Sequence, residues 1–198
     1  MRVITAPTVE PITLAEVKGQ LGIQLDDTTS DAIISRRITE ARQWAEDYTG
    51  RALITQTQEI RLDAFPFNFG TVRDAIRLPF PNLLTVVHVK YIDTNGTEQT
   101  ISAADYVVDT YSYVGLVRPA YGVSWPSVRT ELNAVRIQYT CGYGSTAATV
   151  PALIREALML LVGHWMNNQP QSESGIMPAR VPFAVHDILN KYAIPRSA

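Results

Sequence analysis

Glu40-Ala41-Arg42-Gln43-Trp44-Ala45-Glu46-Asp47-Tyr48-Thr49-Gly50-Arg51-Ala52-Leu53-Ile54-Thr55 is the stretch on which the fold turns. Leading into it, Ile34, Ile38, Ala41, Ala45 and Tyr48 recur at helical spacing and form one stripe, with Ile33, Arg37 and Trp44 at its flanks. Arg36, Glu40, Arg42, Gln43, Glu46 and Asp47 fill the other side, so the pattern predicts a helix that lies on a core. Gly50 stands where a left-handed closing residue belongs, because glycine takes positive φ without a steric cost. Beyond Gly50 the apolar period drops from about 3.6 to 2, the change from helix to strand.

Upstream, Met1 to Pro11 reads as an extended lead-in, since Pro7 and Pro11 oppose helix. Thr13-Leu14-Ala15-Glu16 fits a capping box, Leu14, Val17 and Leu21 give a short apolar face, and Gly22 ends a first helix. Asp26-Asp27-Thr28-Thr29-Ser30-Asp31 offers N-caps and first-turn acids for the second helix. The paired aspartates lack the further oxygen ligands that close a calcium loop, so capping is the better reading.

Downstream, Thr57–Leu62, Ala75–Pro79 and Leu84–Ile92 read as strands, the second confined to an edge or an end by its proline. The aromatic loop Phe65–Gly70 separates the first two. Asp93-Thr94-Asn95-Gly96-Thr97 predicts a tight type I′ hairpin into Glu98–Ile101. Tyr106–Asp109, Gly115–Arg118 and Ala134–Tyr139 complete the strands, with a turn-rich link at 121–126. Thr149-Val150-Pro151 then returns the chain to a third helix, apolar nearly all round from Leu153 to Trp165. The polar run 167–175 cannot pack and predicts a mobile loop at about 167–181; a last helix spans about Pro182 to Tyr192, with Val185, Ile188, Leu189 and Tyr192 on one face.

The expected fold class is therefore α+β: a small bundle of about four helices with an antiparallel β subdomain inserted between the second and third. A single domain is expected over 1–198, with N-terminal helices in 1–55, the β insertion in 56–141 and C-terminal helices in 142–198.

The chain carries 17 basic and 19 acidic side chains, a formal net charge of −2. A surface built to grip nucleic acid normally shows a basic excess, and no polybasic arm is present. The single cysteine, Cys141, excludes an internal disulfide and supports no cysteine metal site. The start lacks the apolar stretch of a signal peptide and the longest apolar run, Ala157–Val162, is too short for a bilayer, so a soluble chain without membrane contact is expected.

No constellation reads as an active site. His88, His164 and His186 are scattered and lack metal-ligand spacing; His164 reads as a satisfied side chain at a buried or intersubunit surface. Glu46 and Asp47 are adjacent, point about 100° apart on a helix, and read as solvated charges near its end. Gly142-Tyr143-Gly144-Ser145 lacks the Gly-Lys-Ser/Thr ending of a phosphate loop, and Cys141 has no evident His/Asn partners. Trp125, Trp165 and the tyrosines, without interleaved cations, suit core and protein contacts better than base stacking. No metal, cofactor or catalytic residue is expected.

Taken in order, the segments resemble the head-tail connector, or head-completion adaptor, proteins of long-tailed bacteriophages, prophages and gene-transfer particles. The resemblance is carried by Pro11–Lys18, Ala41–Leu53, Leu78-Pro79-Phe80-Pro81-Asn82-Leu83-Leu84, Val87–Asp93, Tyr139-Thr140-Cys141-Gly142-Tyr143, Val150–Ala157 and the helix through His164. It implies a helical bundle with a β insertion and a non-enzymatic, structural role in the neck of a virion or phage-like particle assembled in a bacterial host. It implies a ring, commonly twelve-fold, that binds the portal protein and a stopper or other tail-side connector, with DNA passing through the channel. The over-apolar third helix suits lateral packing in such a ring. Leu161, His164, Trp165, Met166, Ile176, Met177, Phe183 and Tyr192 are the expected protein-interface residues. The loop Asn167–Arg180 and the terminal helix are expected to order on docking. A DNA-packaging accessory that contacts DNA or the terminase is the alternative.

Overall fold

Gly50 ends the long helix in the conformation expected of it: its φ is 68°, and its amide donates to the Glu46 carbonyl at 2.8 Å. The computed structural model describes residues 2–66, 74–168 and 182–194. They fall into two units, one made of Thr8–Ile54 with Gly144–Ala198, the other of Met1–Pro7 with Thr55–Tyr143.

The first unit is helical. Helices α1 (Leu14–Leu21), α2 (Asp31–Thr49), α3 (Ala152–Asn167) and α4 (Phe183–Asn190) pack with α3 against the other three. Helix α1 begins at the expected capping box: Thr13 Oγ1 accepts from the Glu16 amide at 3.2 Å, and the Thr13 amide donates to Glu16 Oε2 at 2.7 Å. Gly22 closes it in the left-handed region. The acidic cluster before α2 serves differently from the expectation. Ser30 is the N-cap but makes no side-chain cap bond, while Asp27 Oδ1 accepts from the Thr29 amide to shape the preceding turn. Helix α3 is preceded by a single 3-10 turn and has Pro151 itself as N-cap. Its faces are unequal: Ile154, Ala157, Leu158, Leu161 and Val162 are buried, whereas Leu153 is 48% exposed. They meet Ile34, Ile38, Ala41 and Ala45 of α2's stripe and Val185 and Leu189 of α4 in a common buried set.

The second unit is antiparallel β. A five-stranded sheet runs in the order β1 (Arg2–Thr5), β2 (Gln56–Leu62), β8 (Val135–Cys141), β4 (Leu83–Ile92), β5 (Glu98–Thr100). A three-stranded sheet runs β3 (Ile76–Leu78), β7 (Gly115–Pro119), β6 (Tyr106–Asp109), with the proline-flanked β3 at its edge as expected. Strand alternation sets the faces. Ile60 of β2, Ile137 and Tyr139 of β8 and Val89 of β4 are buried on one side, and the buried Tyr139 hydroxyl donates to the Pro79 carbonyl at 2.8 Å.

Two local expectations change. The lead-in is not merely extended: Arg2–Thr5 is an edge strand paired with β2, a partnership that spans more than fifty residues of sequence. The β4–β5 turn is not type I′, which needs positive φ at both central residues. Asn95 keeps a negative φ and only Gly96, at 87°, is left-handed. The Gly96 amide donates to the Asp93 carbonyl at 2.9 Å and the Asp93 amide to the Thr97 carbonyl at 2.9 Å, a three-residue loop that ends in a left-handed glycine. Asp93 Oδ1, which accepts from the Asn95 and Thr97 amides, selects this turn over the shorter one.

Candidate interaction surface

Part of the charged side of α2 is withdrawn from solvent. Arg42 and Glu46, one helical turn apart, are each 6% exposed. Arg42 Nη1 meets Glu46 Oε2 at 2.8 Å and its Nε meets Glu10 Oε2 at 2.8 Å, while Thr39 Oγ1 donates to Glu10 Oε1. The other Glu46 oxygen accepts from the Leu53 amide at 2.8 Å, so the carboxylate ties the chain after Gly50 back onto the helix it has just left. Burial pushes the Glu46 carboxyl above its ordinary value; the Leu53 amide and the Arg42 guanidinium work against that shift. The surface reading of Glu46 is thereby corrected, while Asp47 is exposed as expected. The clue was the four-residue Arg/Glu spacing beside Ala41 and Ala45; the partners Glu10 and Leu53 are not visible as a helix pattern.

A second buried cation, Lys18, has the same stitching role. Its Nζ donates to the Leu25 and Asp27 carbonyls at 3.2 and 2.8 Å and pairs with Asp31 Oδ1 at 2.5 Å, which holds the α1–α2 connection closed. Arg51 Nε donates to the Tyr192 carbonyl at 2.6 Å and so anchors the segment after α4.

The expected interface residues are not equivalent. Leu161 is fully buried and belongs to the core of the helical unit, because α3 turns that side toward its neighbours in the bundle. His164, Trp165 and Met166 are half-buried on the next turn of α3. The Arg37 guanidinium lies over the Trp165 ring at 6.0 Å. Asn168 Nδ2 lies 3.2 Å from His164 Nδ1, and the buried Nε2 meets no hydrogen-bond partner among the described residues. Phe183, at the first turn of α4, is 83% exposed, and Tyr192 is half-buried. Ile176, Met177 and all but the first residues of the loop expected at 167–181 lie outside the described residues.

An aromatic cluster escaped the sequence reading. Trp44 and Tyr48 stack with centroids 5.2 Å apart, and His186 of α4 packs against both at 5.6 and 5.2 Å. The signal was an aromatic pair at four-residue spacing on α2; its third member comes from a helix far along the chain. In the β unit Trp125 is structural as expected, stacked on Phe65 at 4.6 Å with its indole nitrogen donating to the Asp74 carbonyl. Tyr111 and Tyr121 of that unit are fully exposed.

Among the described residues no three His, Cys, Asp or Glu side chains converge to hold a metal ion, and no helix is long and apolar enough to cross a membrane. A cavity of about 270 Å³ in the β unit is lined by Leu84, Thr85, Val86, Ala103, Tyr106, Val108 and Thr110, a set with no carboxylate, imidazole or cation.

The whole fold recurs in solved particles. A chain from the neck of an empty gene transfer agent particle, computed with six-fold symmetry, aligns with a TM-score of 0.78 at 22% identity over 100% of this chain and 98% of that one. A chain from the virion of a native gene transfer agent particle gives 0.77 at 21% identity, over 100% and 96%. One from the neck of a native particle computed with twelve-fold symmetry gives 0.73 at 21%, over 100% and 98%. No curated protein sequence matches. A family model described as phage gp6-like head-tail connector protein matches residues 11–115, more than half of the sequence and the whole run from the capping box of α1 into β7. The chain belongs to the family of phage gp6-like head-tail connector proteins.

Proposed function

We propose that the protein is a structural, non-enzymatic ring subunit in the neck of a phage or phage-like particle. The ring joins the DNA-filled head to tail-side proteins and leaves a channel for DNA. Its partners are the portal protein on one side, a stopper or other tail-side connector on the other, and copies of itself, twelve in the ring. The observation that carries this reading is the end-to-end structural match to neck chains, one of them from a neck computed with twelve-fold symmetry, together with family membership.

The surface offered to neighbouring proteins includes Trp165 and Met166 at the end of α3 and Phe183 on α4, joined by His164 and Tyr192. Exposed aromatic and sulfur side chains are enriched at protein interfaces, which supports Phe183 above the rest. Ile176 and Met177 remain part of the proposal on sequence grounds.

The test is to add purified protein to DNA-filled, portal-bearing, tailless heads and image them by electron microscopy. A ring below the portal, with tails then able to attach, is the expected result. Folded protein that leaves the heads bare overturns the proposal.

A further inference from the structure

The solvent side of the five-stranded sheet carries an ordered set of polar side chains. Residues directly opposite across antiparallel strands share a face. Arg61 of β2 faces Arg136 of β8, which faces Lys90 of β4. The next row on the same face is Glu59, Gln138 and His88, and the third is Thr57, Thr140 and Thr85. No apolar residue occupies these nine registered positions.

The first row places three cations on three adjacent strands, a span of about 10 Å at ordinary strand spacing. Like charges directly opposite each other destabilise a sheet, so such a row is not a device for stability. Glu59 and Glu98 flank it: Arg61 pairs with Glu59 at 2.8 Å, and Lys90 and Arg136 share Glu98 at 2.9 and 2.5 Å. Arg2 of β1 is opposite Glu59 and adds a further cation. Four cations against two carboxylates leave this face positive in a chain whose formal total is −2. Burial and the Lys90 ammonium hold the His88 imidazole below its ordinary range, so at neutral pH it offers hydrogen bonds rather than charge.

We propose that this face is a sequence-independent contact for the phosphate backbone of double-stranded DNA. Its composition favours DNA over an acidic protein: protein interfaces place apolar and aromatic groups at the centre and are depleted of charge there. Phosphate is bound by arginine, lysine, threonine and glutamine, the residue types displayed here. The cations are few and partly neutralised by carboxylates, which makes the contact weak and easily broken, as a channel lining through which DNA must slide requires. The relevance of DNA rests on the proposed neck function; the assay does not.

Fluorescence anisotropy of a labelled mixed-sequence duplex with the free, full-length protein tests it. With one phosphate contact for each of the four cations, affinity should fall about 150-fold between roughly 50 and 200 mM salt, and with two remaining contacts only about 12-fold. The Arg61→Gln/Lys90→Gln double variant should show the shallow dependence at an unchanged melting temperature. Arg118→Gln, an exposed cation of the other sheet, should match wild type. Absence of duplex binding at the low salt, or equal losses in Arg118→Gln and the double variant, overturns the proposal. So does direct binding of polyglutamate that is tighter than duplex and lost in the double variant, which would assign the face to an acidic protein. Heads that accept the protein while free duplex is not bound reject this proposal alone; duplex binding with bare heads rejects the ring.

Discussion

Replacing Arg42 with alanine isolates the buried ionic network behind the α2 turn. The guanidinium is the cation between Glu46 and Glu10, and both it and Glu46 are nearly inaccessible. Removing one partner of a buried pair strands the other charge, at a cost of about 3–5 kcal/mol. The stranded carboxylate can relieve that cost by taking a proton. Burial already raises the Glu46 pKa above its ordinary value, and loss of Arg42 removes a group that lowers it. The sign follows: the native state binds the proton more tightly than the unfolded chain, so this group's contribution to stability is greatest at low pH. It is lost as pH rises from the unfolded value through the raised native one. The Arg42→Ala deficit, measured by urea unfolding under circular dichroism against wild type at each pH, should therefore be largest near pH 8. It should shrink toward pH 5 by about 1.4 kcal/mol per further unit of pKa shift. Adding Glu46→Gln, which keeps an acceptor for the Leu53 amide, should recover part of the deficit at high pH. A deficit below about 1 kcal/mol, or one equal at both pH values, refutes the stranded-charge argument.

Gly50→Ala forces a side chain into the left-handed region and within 3.3 Å of Ile194 Cδ1, so a loss of about 1–2 kcal/mol, some 2–8 °C in a thermal melt, is expected. Thr13→Ala removes the acceptor for the Glu16 amide and should cost about 1 kcal/mol by urea titration. Glu16 has a lowered pKa, chiefly through the Thr13 amide, so its stabilisation is present above the unfolded carboxyl pKa and lost as pH falls through the native one; Glu16→Gln should flatten the acid limb of a stability profile. Leu161→Asp should unfold the helical unit by circular dichroism, whereas Phe183→Asp should stay folded and fail to decorate heads. A folded Leu161→Asp protein contradicts its core assignment.

The fold was legible where its signals are local. Strand alternation, the Thr13–Glu16 box and glycines 22 and 50 place nearly every element within two residues of its observed bounds. What was hidden is non-local. Val3-Ile4-Thr5 favours extended chain but names no partner; Arg2–Thr5 becomes a strand because the edge of β2 is available more than fifty residues later. Arg42 and Glu46 look like any exposed helical pair until Glu10 and the Leu53 amide converge on them. The cation row has the same character: Arg61, Lys90 and Arg136 are unremarkable along the chain and adjacent only through strand register. The aspartate that reshaped the 93–97 turn was in plain view, but its side-chain bonds overrode the Asn-Gly preference.

The sheet's central strand is also the last to be synthesised. Strand β8 joins β2 to β4, with partners such as Gln56 and Cys141 far apart in sequence. Until residue 141 leaves the ribosome, the inner edges of β2 and β4 have nothing of this sheet to pair with, and bare edges recruit strands from other molecules. Helices α3 and α4 emerge later still, so α1 and α2 must also wait for their core. A chain stopped ahead of β8 should leave two ribbons with open edges and no completed unit, and should be found in the insoluble fraction. Slower translation ahead of residue 141 should therefore lower the yield of folded protein, and a strand-binding chaperone should raise it.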